Sequence, residues 1–395
     1  MNLKRKAAKT LSYFLLPLSI TLWFLNFRIF LIECIDNIGH LALEPDCYLK
    51  ECFLNKKKRF KTIIIAPTKN KFYLFPRSVC CNDYLAKLWK QHFYVVTSPL
   101  LSTIMFLMSL HKWLRIDTRS YARNYTTTIK CYNINKLYNG PPLLSLDNFT
   151  NNLGSELLLK IGVPKYNKYI VFANRDSSFR KCDSIFSFRN NDINRYHLAI
   201  KELVRQGFYC IRMGDQKSQP INWDLYTGLE DKVIDYSRSE YKKKWMDIFL
   251  VAHSTFLLIG STGLSYLATL FQIPLLLVEQ TPFCHFPQRF TDIYIPKLYV
   301  NQKTNQFISF KEILNSKMKY FIFDEEFKNE NIVLRSPTDE EILDGVHEML
   351  QQLNTNDYSK TDLQQIFDRI ECQACYSFPP AAKISHNFLK KFEYL

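Results

Sequence analysis

Small and polar residues follow four apolar runs in the second half of this 395-residue chain. These groups are Asn174-Arg175-Asp176, Arg212-Met213-Gly214-Asp215, Gly260-Ser261-Thr262-Gly263 and Glu279-Gln280. Arginine offers forked donors that suit phosphate oxygens. Small residues at a strand-to-helix turn leave backbone N–H groups able to hold an anion. The set therefore predicts a binding site for a nucleotide diphosphate.

Each group also has an ordinary structural interpretation. Arg175 and Asp176 could pair with each other or cap a turn, and Gly214-Asp215 could form a tight turn. The sequence contains neither GxxxxGK[ST] nor GxGxxG, so it has no P-loop and no dinucleotide fingerprint. A functional interpretation of the set is favoured because ligands of open α/β sheets bind where the strands end.

His40 occupies a similar position in the first half of the chain, after the predicted strand 28–35 and within the predicted turn 36–40. A histidine there could act as a general base, or it could hydrogen-bond an acceptor hydroxyl or a phosphate. A single histidine can equally be structural. No acidic residue stands out in this half as an alternative base.

Two runs of alternating strands and helices must position these side chains. In the first half we predict strands 28–35 and 61–67 and helices 41–55 and 82–93. In the second half we predict strands 168–176, 208–215, 232–239, 255–260 and 274–280, and helices 193–207, 244–254 and 264–272. Such alternation is typical of parallel sheets.

Residues 124–155 have turn chemistry and weak periodicity, so we place a domain boundary there. The expected α/β architecture is two Rossmann-like domains facing a cleft, an N-terminal domain 28–155 and a second domain 156–335 that carries the predicted diphosphate site. Residues 336–395 are expected to be helices that pack back on the domains. Ser336 or Thr338 supplies the first N-cap.

The formal charge of +15 indicates an anionic partner. Nucleic acid is disfavoured because the basic runs are scattered and no zinc-finger, RRM or recognition-helix pattern is found. The eleven cysteines have irregular spacing. Cys372-Gln-Ala-Cys375 is the only CxxC, and without a second pair it is interpreted as structural rather than as a zinc site. A reducing compartment is expected.

The N-terminal segment 1–27 is basic at its start and apolar from Leu11 to Phe27. Pro17 and the short length favour a helix lying on an anionic membrane surface at the cytoplasmic face, with a short spanning helix as the alternative. No small-residue cleavage site follows, which disfavours a signal peptide. The apolar stretch 93–110, broken by Pro99, is either a buried core helix or a second membrane-dipping segment.

A set of ordered motifs resembles a family of bacterial glycosyltransferases associated with surface-polysaccharide gene clusters. The motifs include NIGHLALEPDCYL (37–49), FYCIRMGD (208–215), the stretch from DIFLVAHS (247–254) to Phe283, and SPTDEEILDGVHEML (336–350). The second half is also distantly similar to fucosyltransferase-like GT-B enzymes. This resemblance implies a GT-B fold, a nucleotide-sugar donor, no cofactor and no required metal. It also implies that Arg175 contacts the donor diphosphate and that Ser261-Thr262 lie near the same phosphates.

The expected activity is transfer of a sugar to a glycan, lipid-linked or surface-polysaccharide acceptor. Arg175, Arg212 and the turn Gly260–Gly263 would stabilise the leaving diphosphate, and His40 would orient or deprotonate the acceptor hydroxyl. Gly214, Asp215 and Glu279 would complete the donor site. The alternatives are a glycan-binding or assembly protein without activity, and a sugar-nucleotide epimerase or hydrolase of the same fold.

Overall fold

The computed structural model describes residues 2–56, 59–68, 79–118, 121, 129–177, 183–372, 375 and 377–394. The chain divides into two compact units, Met1–Leu146 (unit 1) and Asp147–Leu395 (unit 2). The boundary therefore lies inside the predicted boundary region 124–155, and residues 147–155 belong to unit 2. They begin the first helix of unit 2, whose Gly154 lies directly against the ring of Phe249 in the same unit.

Unit 1 contains a parallel three-stranded sheet of order β1-β2-β3. Its strands are β1 (Phe27–Phe30), β2 (Lys61–Ile65) and β3 (Tyr94–Val96). Its helices are α1 (Asn2–Phe14), α2 (Leu16–Phe24), α3 (Ile38–Leu54), α4 (Asp83–Leu88), α5 (Pro99–Met108) and α6 (Ile129–Leu137). The predicted strand 28–35 is shorter in the structure, and helix α3 begins earlier than predicted because the Asn37 side chain caps it by accepting from the Gly39 N–H.

Unit 2 is built on a seven-stranded sheet of order β13-β9-β8-β7-β4-β5-β6, in which every neighbouring pair is parallel. Its strands are β4 (Tyr169–Ala173), β5 (Tyr209–Arg212), β6 (Val233–Ile234), β7 (Leu257–Ile259), β8 (Leu275–Gln280), β9 (Ile293–Pro296) and β13 (Lys383–Ile384). Strands β10 (Leu298–Asn301), β11 (Gln306–Phe307) and β12 (Ile332–Arg335) form a separate antiparallel sheet. All five strands predicted for this half are present.

The helices of unit 2 follow the same alternation. They are α7 (Asn148–Lys160), α8 (His197–Arg205), α9 (Lys244–His253), α10 (Leu264–Phe271), α11 (Phe310–Leu314), α12 (Asp324–Asn329), α13 (Asp339–Thr355), α14 (Asp362–Asp368) and α15 (His386–Lys391). Thr338 is the N-cap of α13 and forms a capping box with Glu341, which confirms the predicted capping signal. The C-terminal region is not purely helical, because β13 extends the edge of the large sheet.

The predicted apolar stretch 93–110 contains two elements, β3 and α5, with Pro99 in the first turn of the helix. Within the described residues no single helix is long and apolar enough to cross a membrane. The pair Lys6–Phe14 and Leu16–Phe24 meets that test only when the two are taken together, and they are bent by 61°.

The CxxC motif lies beside a third cysteine. The Sγ atoms of Cys375 and Cys284 are 2.8 Å apart. The Cys372 thiol donates to the Leu314 carbonyl over 3.3 Å. Hydrogen bonding with the Cys284 thiol lowers the pKa of Cys375 to about 6. The spacing of the motif alone does not indicate this neighbour.

Candidate functional site

The large sheet of unit 2 reverses its winding direction between β4 and β7. From β4 the chain adds β5 and β6 on one side, and it then returns to add β7, β8, β9 and β13 on the other. In an open parallel sheet, ligands bind outside the carboxyl ends of the strands at such a switch point. The two loops that leave this point contain Asn174-Arg175 and the turn Gly260–Gly263. The structure therefore brings these two predicted groups to one place.

Asn191 holds the loop after β4 in position. Its Oδ1 accepts from the Arg175 N–H over 2.9 Å, and its own N–H donates to the Arg175 carbonyl over 2.9 Å. Its Nδ2 donates to the Tyr196 hydroxyl over 2.9 Å. The Asn174 amide adds a bond to the Asn191 carbonyl. Because both the N–H and the carbonyl of Arg175 are held, its half-buried side chain projects from a fixed backbone position at the switch point.

Gly260 is a glycine because Asn191 lies against it. A Cβ at this position would be 2.1 Å from Nδ2 of Asn191, closer than any real contact. The sequence suggested that the two glycines of this turn admit an anion. For Gly260 the close approach comes from a protein side chain instead.

The rest of the turn presents donors at the start of α10. The Leu264 N–H is held by the Thr262 hydroxyl over 3.2 Å, and the Ser261 hydroxyl accepts from the Thr281 N–H over 3.3 Å. Among the described residues, no acceptor is found for the backbone N–H groups of Ser261 and Gly263. Ser261, Thr262 and Gly263 are half-buried. N–H groups at a helix start favour an anion through their number and through the helix dipole.

Glu279 lies at the carboxyl end of β8, next to β7, in a buried polar cluster. Its Oε2 accepts from the Ser336 hydroxyl over 2.9 Å and lies 3.4 Å from the Lys297 Nζ. Burial raises the pKa of Glu279 and lowers that of Lys297, so desolvation outweighs their mutual attraction. The Oε1 atom is buried and has no hydrogen-bond partner among the described residues. The backbone of Glu279 has a φ of +55°, in the left-handed region that is rare for a glutamate.

Arg212 was predicted to bind the donor, and the structure instead gives it an internal role. It is fully buried at the end of β5, where it donates to Asp235 over 3.1 Å and to the Gln219 carbonyl. These bonds join the loops that follow β5 and β6. A guanidinium enclosed in this way is not available to a ligand, because breaking a buried ion pair leaves an uncompensated charge.

Gly214 and Asp215 form the tight turn that was the structural alternative. Asp215 accepts from the Lys217 N–H over 2.9 Å through Oδ1, and its carbonyl accepts from the Ser218 N–H. Asp176 accepts from the Gln219 N–H over 2.8 Å, which links this turn to the loop after β4. The turn thus supports the switch-point loop from one side.

In unit 1, His40 lies in the first turn of α3 rather than in a loop. Its Nδ1 is 2.6 Å from Oε1 of Glu44, one helical turn further on. Glu44 is fully buried, and its carboxylate also accepts from the Glu33 N–H over 3.1 Å. Burial raises the pKa of Glu44, and the bond with His40 opposes this. When Nδ1 carries the imidazole proton it donates to Glu44, which leaves Nε2 as the basic atom on a ring that is partly exposed.

The same three residues could also hold a metal ion. One ligand atom from each of Glu33, His40 and Glu44 lies within 4.8 Å of the other two. Among the described residues, this is the one group of three His, Cys, Asp or Glu side chains close enough to bind a metal ion together.

The roles of three residues were not identified from the sequence. Glu44 had a usable signal, since His-x-x-x-Glu on a helix places both side chains on one face. Asn191 lies in the polar run 189–192, which is ambiguous between capping a helix and contacting substrate, and its contact with Gly260 is distant in the chain. Lys297 had no signal, because it acts on Glu279, which is also distant in the chain.

Comparison with known proteins found no matching family model and no matching curated sequence. Among solved structures, the chain is similar to the glycosyl transferase family 9 protein of Veillonella parvula DSM 2008, with a TM-score of 0.48 and 9% identity over 83% of this chain and 97% of that one. It is similar to E. coli ADP-heptose LPS heptosyltransferase II, with a TM-score of 0.43 and 11% identity over 83% and 99%. It is also similar to the iron-containing dodecameric glycosyltransferase TibC of enterotoxigenic E. coli H10407, with a TM-score of 0.39 and 12% identity over 84% and 77%.

None of these three is described as a fucosyltransferase, and the fucosyltransferase-like part of the expected resemblance stays a prediction. Likeness at this level does not transfer an activity, so the residues of this chain have to carry the functional argument.

Proposed function

We propose that this protein is a glycosyltransferase that moves a sugar from a nucleotide-sugar donor to a glycan, lipid-linked or surface-polysaccharide acceptor. The observation that carries the proposal is the convergence of Arg175 and the Ser261–Gly263 turn at the switch point of the unit 2 sheet. This is where an open α/β sheet binds a nucleotide, and both groups suit a diphosphate.

In the proposed reaction the donor diphosphate leaves with a growing negative charge. Arg175 and the N–H groups of Ser261 and Gly263 would stabilise that charge, and they need no reorganisation because Asn191 and α10 already fix their backbone. Glu279 is fully buried, so it would support the site from the end of β8 through its contacts with Ser336 and Lys297. Arg212, Gly214 and Asp215 would support these loops.

His40 is the proposed base for the acceptor hydroxyl, and Glu44 is its positioning residue. Glu44 fixes the ring through Nδ1 and favours the imidazolium that forms when Nε2 takes the proton. In this proposal the donor is assigned to unit 2 and the base to unit 1.

We propose that transfer needs neither a metal ion nor a cofactor. Glu33, His40 and Glu44 could nevertheless hold a cation, so this claim has a direct test. Activity is expected to survive incubation with EDTA and dialysis. The Glu33→Ala variant should then keep wild-type activity, because Glu33 binds Glu44 through its backbone N–H and not through its side chain. Loss of activity on chelation, with recovery on adding Mg²⁺ or Mn²⁺, would contradict the metal-free reaction.

A radiolabelled-sugar assay separates the proposed function from its two rivals. A thermal-shift screen against GDP-, UDP-, CMP-, dTDP- and ADP-sugars first selects the donor. The purified full chain should then transfer label to a membrane or polysaccharide extract, and should consume little donor without it. Donor turnover without acceptor would indicate an epimerase or hydrolase. Glycan binding with no turnover at all would indicate an assembly protein.

The expected location is the cytoplasmic face of the membrane, at an anionic surface. A lipid-linked acceptor would be found there, and nucleotide sugars are available on that side.

A further inference from the structure

The two N-terminal helices turn their large apolar side chains outward. Among residues 6–24 of α1 and α2 the buried positions are small, namely Ala8, Ser12 and Ser19, whereas Phe14 and Phe24 are 78% and 75% exposed. A surface helix that packs on a soluble core normally shows the opposite arrangement. The apolar side of this helix pair is therefore directed at something outside the chain.

The helix pair nevertheless has a fixed place on unit 1. Leu15 and Leu22 pack against a core cluster that includes Ile29 and Met108. The Nε2 atom of His111 lies 3.0 Å from the Ser12 carbonyl. The exposed side chains of α1 and α2 are thus held in place by helices that pack against the core of unit 1.

A second segment of unit 1 exposes apolar residues beside this pair. Helix α5 contacts α1, and the turn Lys112–Leu114 contacts α2. The ring of His111 packs edge-on against Tyr13 and stacks on Trp113, with centroid distances of 6.3 and 5.5 Å. Leu100, at the start of α5, is 62% exposed. We define the apolar face as Phe14, Trp23, Phe24, Leu100, Leu101 and Trp113, all of which are exposed.

The two segments that carry this face have charged side chains of a single sign. Neither residues 1–32 nor residues 93–116 contain an aspartate or glutamate, and both ranges contain lysine and arginine. Exposed Phe, Leu and Trp with basic residues only are typical of elements that lie in the interface of an anionic membrane. Trp113 and Trp23 suit the same region, because an indole has an apolar body and a polar N–H.

We propose that the apolar face is a membrane-binding surface, formed jointly by α1–α2 and by the α5–Trp113 segment, that lies in the headgroup region of an anionic bilayer. The 61° bend and the packing of Leu15 and Leu22 favour lying in the interface over spanning it. The proposal does not depend on the transfer reaction, since its tests contain no nucleotide sugar.

Vesicle flotation tests the proposal with the purified full chain. Vesicles of phosphatidylglycerol and phosphatidylethanolamine should carry the wild-type protein, and vesicles of phosphatidylcholine should carry much less. Leu100→Ser with Leu101→Ser should reduce binding about tenfold or more, from the loss of two inserted side chains. Phe14→Ser with Phe24→Ser should have a similar effect. Phe149→Ser, a 75% exposed phenylalanine of unit 2, is the matched control and should bind as wild type.

A fluorescence measurement locates the second segment directly. Brominated lipid should quench tryptophan emission, and Trp113→Phe should remove part of that quenching. Trp223→Phe, which removes an exposed tryptophan of unit 2, should leave it unchanged.

Three outcomes would overturn the proposal. The first is wild-type binding by the Leu100→Ser/Leu101→Ser variant with unchanged circular dichroism. The second is protein that only detergent, and neither high salt nor alkaline carbonate, can release from vesicles. The third is no vesicle binding together with a dimer that the same substitutions dissociate, which would make the face a contact between two copies.

Discussion

The environment of Gly260 shows how one residue can organise the candidate donor site. Its hydrogen lies against the amide of Asn191, and that amide in turn holds the backbone of Arg175. Asn191 cannot easily retreat, because it is also bonded to the Tyr196 hydroxyl. The position of Arg175 therefore depends on the absence of a side chain at Gly260.

Gly260→Ala should displace Asn191, lower the stability of unit 2 by about 1–3 kcal/mol through overpacking, and weaken donor binding. The measurement is a thermal-unfolding midpoint together with a donor Kd. In an Asn191→Ala background, Gly260→Ala should lower the stability much less, because the side chain it clashes with has been removed. Additive effects of the two substitutions would show that Gly260 acts by another route.

His40→Ala should lower the transfer rate about 10²- to 10⁴-fold, the usual range for a lost general base, and leave the donor Kd unchanged.

Glu44→Gln keeps an acceptor for the Glu33 N–H but removes the charge. It should lower kcat without raising KM, and it should move the pH at which transfer is half-maximal. An unchanged pH–rate profile in an active Glu44→Gln enzyme would make Glu44 merely structural.

Two arginines at strand ends show what the sequence can and cannot predict about such a site. Arg175 and Arg212 had the same pattern, an apolar run followed by a guanidinium. Asp235 and Gln219 enclose Arg212, and nothing in the sequence around Arg212 indicates that pairing. Burial is decided by contacts that are distant in the chain, so the positions of both arginines could be predicted but their availability could not.

At the scale of elements, hydrophobic periodicity and capping residues predicted the strands and helices of the second half of the chain well. The strands of unit 2 are short and almost wholly buried, which is the pattern of a parallel sheet covered on both faces. The first half was harder to predict, because apolar residues continue past the end of β1 and across β3 and α5. Turns there are set by single residues, Asn37 and Pro99, within otherwise uniform apolar stretches.

The buried carboxylate just before β9 makes the stability of unit 2 depend on pH. Burial raises the pKa of Asp292 from 3.8 to about 6. The folded state therefore holds this proton more tightly than the unfolded chain. The contribution of the protonated Asp292 carboxyl to the free energy of unfolding is complete below pH 3.8. It is lost as the pH rises through about 6.

Asp292→Asn should remove that dependence while keeping an acceptor for the Leu275 N–H. Relative to the variant, wild-type stability should fall between pH 4 and pH 6 by roughly 1.4 kcal/mol for each unit that separates the two pKa values. Thermal-unfolding midpoints across this range provide the measurement. Parallel curves for the two proteins would rule out Asp292 as the titrating group.

At the scale of the whole molecule, the N-terminal segment is the main revision. Residues 1–27 were interpreted from the sequence as a membrane-associating segment, and in the structure Leu15 and Leu22 also cover part of the unit 1 core. The Asn26 carbonyl also accepts from the Lys61 N–H at the start of β2. Removing the segment would expose apolar core, so single outward substitutions are the better probe of membrane binding.

Under the proposed reaction, the two units have different functions. The candidate phosphate site lies wholly in unit 2, and the candidate base lies wholly in unit 1. Substitutions in the two units should therefore separate cleanly, with donor affinity governed by one and transfer by the other.

The most direct test of the account is the donor affinity of Arg175→Ala, measured by isothermal titration with the nucleotide sugar found in the screen. Loss of one charge-assisted hydrogen bond, about 1.5–3 kcal/mol, should weaken binding roughly ten- to a hundredfold while far-UV circular dichroism stays unchanged. Gly263→Val should weaken it as well by crowding the anion. Arg205→Ala, which removes the same charge from an exposed position on α8, is the control and should bind as wild type. If Arg175→Ala binds the nucleotide sugar as tightly as Arg205→Ala, the phosphates do not lie at the β4–β7 switch point and the account is contradicted.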